Sequence, residues 1–336
     1  MRTILKAMWW DSAVGFIITL TLSLLAAPLT VTAQPRRTLP RVGVLEPSSP
    51  PGTSCLAGFR QGLRDLGYVD GQTIILVSRY AEDQTDRLPA LATELVRLTP
   101  DVLWTHSNPA AQAAKQATTT IPIVVGIASF EATPGLVESL AQPGGNLTGL
   151  DSLYTEVLGR RLALLKEAVP TITHVAVLVD PTNPAHQGGL HNLEAEAQTL
   201  GVQLQRVEVN APEALEGAFA AILQGSAEAL MFDGPLFGGT TLQRIVAFAA
   251  QHRLPTVAGG RNYTTAGVLL GYGMAAYDRC HRSAVFVDKI LKGAKPADLP
   301  VERAHKFELI VNLKTATALG LTIPPMLLFQ ADEVIQ

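Results

Sequence analysis

The chain has 336 residues, 47% of them hydrophobic, and a formal net charge of −3 from 26 basic and 29 acidic side chains. That length accommodates two domains of ordinary size, and the lack of a positive excess removes the electrostatic footprint of a protein that grips nucleic acid. Two cysteines, Cys55 and Cys280, cannot build a disulfide framework or a cysteine-based metal site.

The chain opens with the pattern of an export signal. Arg2 and Lys6 form a basic start with Asp11 among them, residues 14–25 are an uncharged apolar run, and Val31-Thr32-Ala33 is a small-residue cleavage site. The apolar run is shorter than the roughly 20 residues of a spanning helix. No cysteine follows it to take a lipid, so residues 1–33 are expected to be cleaved and the chain from Gln34 to work in the periplasm. In such an oxidising compartment Cys55 and Cys280 can pair, although two separate buried thiols are the expectation here.

Short β-rich apolar runs then alternate with longer stretches of helical spacing. Strands are predicted at 41–45, 73–78, 102–105, 123–127 and 147–150, and helices at 55–66, 86–98, 109–117 and 134–141. The pattern restarts with strands at 174–179, 203–209, 229–232, 256–258 and 268–272, separated by helices at 156–167, 185–200, 212–223 and 242–252. Two successive units of this kind predict an α/β protein of two Rossmann-like lobes with parallel sheets. The tail breaks the alternation with a long helix at 277–291, a strand at 307–311 and a helix at 313–319. A tail that passes between lobes makes a multi-strand hinge. The expected division is residues 40–150 with 275–299 in the N-terminal lobe, and residues 151–274 with 300–336 in the C-terminal lobe.

Parallel α/β sheets hold ligands at the carboxyl ends of their strands. At those ends lie Glu46-Pro47-Ser48-Ser49, His106-Ser107-Asn108, Ala128-Ser129-Phe130-Glu131, Asp180-Pro181-Thr182-Asn183, Asp233-Gly234-Pro235 and Gly259-Gly260-Arg261-Asn262-Tyr263. Any one of these reads equally as turn and capping chemistry, but together they line one edge of both sheets. Ser107-Asn108-Pro109 is the sharpest, because a polar residue before proline at a first helical turn leaves amides free for an anion. No nucleophile elbow, phosphate-binding P-loop or dinucleotide fingerprint is present, which argues against an enzyme and against any cofactor. His186 and His191 lack a metal-binding pattern and are expected at the surface. Trp104 ends the third strand, where core is its expected role, close to the cleft.

Read together, RVGVLEPSSPP, FRQGLRDLGYVDGQ, NPAAQAAKQATTTIPIV, LVESLAQPGGNLTGL, RLALLKEAVP, VLVDPTNP, VDKILKGAKPADLPVE and KFELIVNLKTATALGLTIPP resemble the ABC transporter substrate-binding proteins, in the family with tryptophan- and tyrosine-binding members. That resemblance covers nearly all of residues 41–336. It implies the type I periplasmic binding protein fold, a monomer without cofactor, and closure on a small ligand that is then offered to an inner-membrane ABC permease with its cytoplasmic ATPase. It also implies that Ser48 and Ser54 belong to the first ligand loop, Asn108 and Pro109 to the helix end that meets the ligand, and Asp180 and Asn183 to the second-lobe loop, with Asp233, Pro235 and Tyr272 facing the cleft. Ser107, Ser129, Glu131 and Arg261 complete the expected ligand set. Departures from the family pattern fall at 128–132, at Asn108 and at 259–261. These are selectivity positions, so neither tryptophan nor tyrosine is carried over as the ligand, and the expected ligand is an amino acid or a similar small carboxylated or aromatic compound. A carboxylate is expected on the amides near Asn108, with Glu131, Asp180 or Asp233 holding an amine. The other role open to such a chain is a ligand-sensing module that signals to a membrane receptor without transport.

Overall fold

The structure, a computed structural model, describes residues 39–50 and 53–336, with the side chain of Pro235 also left aside. The export signal expected at 1–33 lies outside the described residues.

Two sheets carry the chain. The first has the order β11-β5-β4-β3-β1-β2, with β1 Arg41–Glu46, β2 Ile75–Tyr80, β3 Val102–Thr105, β4 Ile123–Ala128, β5 Leu147–Asp151 and β11 Glu302–Arg303. The second has the order β13-β12-β10-β9-β8-β6-β7, with β6 His174–Val179, β7 Gln203–Glu208, β8 Ala229–Met231, β9 Thr256–Ala258, β10 Leu270–Gly273, β12 Glu308–Asn312 and β13 Glu333–Ile335. Every pairing is parallel except β10 with β12. The central strands are buried on both faces, as in VLWT of β3, which is why they read as continuous apolar runs and not as alternation.

Helices cover the faces of the sheets. They are α1 Ser54–Asp65, α2 Leu88–Arg97, α3 Asn108–Ala117, α4 Tyr154–Ala168, α5 Pro184–Leu200, α6 Leu215–Gln224, α7 Gly239–Gln251, α8 Arg261–Thr265, α9 Ala276–Leu291, α10 Leu313–Leu319 and α11 Pro325–Gln330. Thr53 starts α1 by accepting the Leu56 amide on its hydroxyl at 3.3 Å. Along α1, Cys55, Leu56, Phe59 and Leu63 recur at helical spacing and are all buried. The backbone of α9 lies against α1 at Gly58 and Gly62, where a Cβ would strike the carbonyls of Tyr277 and His281. Beneath this pair Trp104 is fully buried, stacked on Phe59 at 4.2 Å, and donates its indole N–H to Ser283 at 2.8 Å. It is a core residue, and its polar edge is satisfied inside the core.

Cys55 on α1 and Cys280 on α9 form a disulfide, with Cα atoms 5.1 Å apart across 225 residues of sequence. The expectation of two separate thiols is therefore corrected. The α1–α9 packing that joins them is a long-range contact that no sequence spacing reveals.

The predicted helix at 134–141 is also corrected. Gly135 has φ +89°, and the backbone beyond it is tied outwards: Lys115 donates to the Leu136 carbonyl at 2.8 Å, and the Val301 amide donates to the Leu140 carbonyl at 2.7 Å. A run of turns and bends replaces the helical ladder. Pro212–Ala214 is a 3₁₀ turn ahead of α6, and the short elements α8, α11, β11 and β13 lie outside the predicted set.

The chain passes between the sheets three times, after β5, after β10 and after β11. Arg279, buried in the first turn of α9, gathers these crossings. Its guanidinium donates to the Glu302 carbonyl at 2.9 Å and to the Asp151 carbonyl at 3.5 Å, and meets the Glu302 carboxylate at 3.4 Å. Burial lowers the Arg279 pKa, with the Glu302 and Asp151 carboxylates acting in the opposite direction.

Candidate functional site

The carboxyl ends of both sheets face a cavity of about 460 Å³ whose wall is drawn from both lobes. The N-terminal ends of α1, α3, α5 and α7 open onto it, through Ser54, Asn108, Ala185 and Gly239. Each such end presents amides without intrahelical partners and a partial positive charge.

On the first-lobe side Glu46, at the end of β1, has no exposed surface. Its Oε1 accepts the Ser48 hydroxyl at 2.6 Å and lies 3.0 Å from His106 Nε2, which is itself 3.3 Å from the Thr53 hydroxyl. Burial pushes the Glu46 carboxyl up, but His106 and the Ser48 hydrogen bonds together outweigh it and lower its pKa from the ordinary carboxylate range. Ser107, beside His106, has φ +75° and ψ 154°, a region that only glycine enters without strain. Its amide donates to the Ile127 carbonyl at 2.7 Å, while its hydroxyl is buried and makes no hydrogen bond among the described residues. Asn108 is fixed by its own loop: Oδ1 accepts the Ser129 amide at 2.9 Å, and Nδ2 donates to the Ser129 carbonyl at 2.6 Å and to the Thr133 hydroxyl.

On the second-lobe side α4 sends Arg161 inward. Its guanidinium donates to Asp233 Oδ2 at 2.6 Å and, through Nε, to the Tyr272 carbonyl at 2.7 Å. His186 lies between Tyr154 and Phe237, with ring centroids 5.7 and 6.1 Å away and planes within 15° and 4° of parallel. Its Nδ1 accepts the Asp180 amide at 2.8 Å, so the neutral ring carries its proton on Nε2. Burial lowers the His186 pKa, against the pull of Asp180 and Asp233, and favours that neutral form. Burial likewise pushes the Tyr154 and Tyr263 hydroxyls up, Asp233 adding to the effect in both. The Tyr263 hydroxyl donates to the Gly234 carbonyl at 3.1 Å.

Six of the expected residues, Ser48, Ser54, Ser107, Asn108, Asn183 and Asp233, share the cavity wall. The other five lie elsewhere. Ser129 is buried behind Asn108, and Glu131 is exposed and 3.6 Å from Arg303. Asp180 is buried under its own turn, accepting the Thr182 amide and hydroxyl at 2.8 and 2.6 Å. Arg261 pairs with Glu308 and Glu333, and Tyr272 turns its ring to Phe307 at 5.9 Å. The side chain of Pro235 is outside the described residues. His191 is exposed as expected, but His186 is only 4% exposed, which corrects its placement at the surface.

Tyr154, Arg161, His186 and Asp83 also line the cavity and were not predicted to do so. Arg161 left a trace in the sequence, since positions 154, 157, 158, 161, 162 and 165 share one helical face on which it is the single charge. Burial of a lone charge on an apolar stripe requires a partner, and Asp233 supplies it.

Residues 41–335 match the family described as ABC transporter substrate binding protein. The chain belongs to that family. Its substrate-binding fold recurs in a conserved domain protein from Vibrio cholerae O1 biovar eltor, 26% identical, with a TM-score of 0.81 over 88% of this chain and all of that one. It recurs also in an ABC domain in complex with L-Trp from Streptococcus pneumonia, 23% identical, with a TM-score of 0.80 over 89% of this chain and all of the other. In sequence, this substrate-binding protein is 23% identical over 264 residues to the tyrosine-binding protein of Clostridioides difficile strain R20291, which covers 79% of this chain and 76% of the relative. The expected α/β architecture of two lobes, and the resemblance to a family with tryptophan- and tyrosine-binding members, are both met. Among the described residues no helix is long and apolar enough to cross a membrane.

Proposed function

We propose that this substrate-binding protein is the periplasmic receptor of an ABC importer and that it captures an amino acid, or a similar small carboxylated or aromatic compound, by hinge closure. The carrying observation is the cavity of about 460 Å³ shared by both lobes, onto which the N-terminal ends of α1, α3, α5 and α7 open and whose wall includes the stacked rings of Tyr154 and His186. That volume falls within the range of small-molecule sites. The amides at the start of α3, with Ser107 and Asn108, receive the ligand's carboxylate. Ser48, Ser54 and Asn183 add polar contacts, and the Tyr154 side offers a flat apolar face. Ser129, Glu131, Asp180, Arg261 and Tyr272 then serve the site from behind or from its rim.

The first lobe is proposed as residues 40–150 with 275–299 and the second as 151–274 with 300–336, β11 being an edge strand lent to the first sheet. Closure is a population shift that a ligand drives only by binding the closed form more tightly. The closed monomer is then read by a permease whose ATPase drives import.

Thermal unfolding against a panel of amino acids, aromatic acids and nucleobases tests the reading. A ligand at about 100 times its Kd adds roughly 2.7 kcal/mol to stability. A blank across the panel, or no compaction by solution scattering at saturating ligand, overturns it.

A further inference from the structure

The charges on the cavity wall do not balance. Among the described residues its ionisable side chains, tyrosines aside, are Asp83, His106, Arg161, His186 and Asp233. Arg161 and Asp233 neutralise each other at 2.6 Å. His186 is turned inward to the Asp180 amide within an aromatic sandwich. His106 leans on the wholly buried Glu46 at 3.0 Å, and that pair carries a net charge of zero or below whichever protonation state His106 adopts. Asp83 has no such partner. It makes no ion pair among the described residues, and its carboxylate has one side-chain neighbour within hydrogen-bond distance, the Ser49 hydroxyl at 3.5 Å.

Asp83 also stands where the cavity meets an outer chamber of about 800 Å³, and it lines both. Among the described residues the outer wall adds Asp86, Glu213 and Glu82, the last already paired with Arg87 at 2.9 Å, and contains no lysine, arginine or histidine. Burial, with the nearby Glu46 charge adding to it, raises the Asp83 pKa. A partly buried carboxylate in this setting gains from a cation brought by the ligand.

We infer that Asp83 is the counter-ion of an ammonium group on the ligand, which lies with its cationic end at the junction of the two chambers and its anionic end at the start of α3. This rests on the receptor reading above and assigns the amine to a residue other than Glu131, Asp180 or Asp233. It makes the ligand a zwitterionic amine and leaves the acidic outer chamber for a longer or second cationic arm.

Calorimetry on the purified oxidised protein separates this from its rivals. The probes are L-tyrosine and L-tryptophan, each beside its deaminated analogue, 3-(4-hydroxyphenyl)propionate and indole-3-propionate. The expected result is that wild type prefers the amine-bearing member of a pair by about tenfold or more, a charge-assisted bond in a partly dry site. Asp83→Asn should weaken that member by a similar factor and leave the deaminated one within about twofold. Asp83→Gly should repeat the loss with thermal stability unchanged or raised, because glycine accepts the φ of +63° at this position without strain. Equal weakening of both members places Asp83 in lobe closure against α7 and overturns the inference, as does an unchanged affinity in Asp83→Asn. Binding of a deaminated probe by wild type as tightly as its parent overturns the inference alone. Failure of wild type to bind any of the probes, together with a blank across the wider panel, removes the receptor reading and this inference with it.

Discussion

Arg161 and Asp233, 72 residues apart in sequence, meet at 2.6 Å on the second-lobe wall of the cavity. Arg161 is 4% exposed and Asp233 17%. Breaking such a buried pair leaves one charge uncompensated. Asp233→Ala should therefore lower stability by about 3–5 kcal/mol, and Arg161→Ala by a similar amount. Replacing both together with apolar side chains should be much milder than the sum of the two. Urea unfolding of the two single variants and the double checks this; additive losses would show that the pair acts as two independent contacts.

The Cys55–Cys280 bond restricts the unfolded chain over a very long loop. Cys280→Ser with Cys55→Ser should cost about 2–4 kcal/mol, with a matching fall in Tm after reduction of the wild type. Thiol titration of the unfolded, unreduced protein should find no free cysteine.

His186 is held neutral in the fold while the unfolded chain titrates near 6.5. Its folded pKa is depressed, so below pH 6.5 the unfolded state binds the extra proton and stability falls with pH. The contribution is complete above pH 6.5 and is lost as pH drops through the folded value. His186→Phe should flatten stability against pH in that window. An unchanged slope in the variant would assign it to other groups.

Ser107 occupies backbone that costs of order 1–3 kcal/mol for a residue with a side chain, and its buried hydroxyl has no partner among the described residues. Ser107→Gly should raise stability by about 1 kcal/mol while weakening the ligand identified in the thermal panel. A gain in stability with full affinity would free Ser107 from any ligand role.

The alternation of strands and helices was legible because central strands buried on both faces leave unbroken apolar runs, and helices α1, α2 and α3 carry clear stripes. The segment 134–141 misled because its apolar residues have helical spacing while Gly135 and the outward-tied carbonyls decide the conformation. At the site, turn chemistry singled out Ser107 and Asn183, which line the cavity. It missed Arg161 and His186, whose meaning depends on partners dozens of residues away or on burial between rings. Asp180 was read as exposed to ligand, but a carboxylate two residues before a threonine commonly serves its own turn, as it does here with Thr182.

The three crossings also bear on how the molecule is made. Phe59 and Trp104 in the first lobe are covered by α9, which follows every residue of β10. The first-lobe core stays open at Trp104 until the chain around Cys280 has been synthesised, so this protein cannot be finished one lobe at a time from its amino end. A chain stopped after Gly273 would leave that aromatic face bare and Cys55 without its mate.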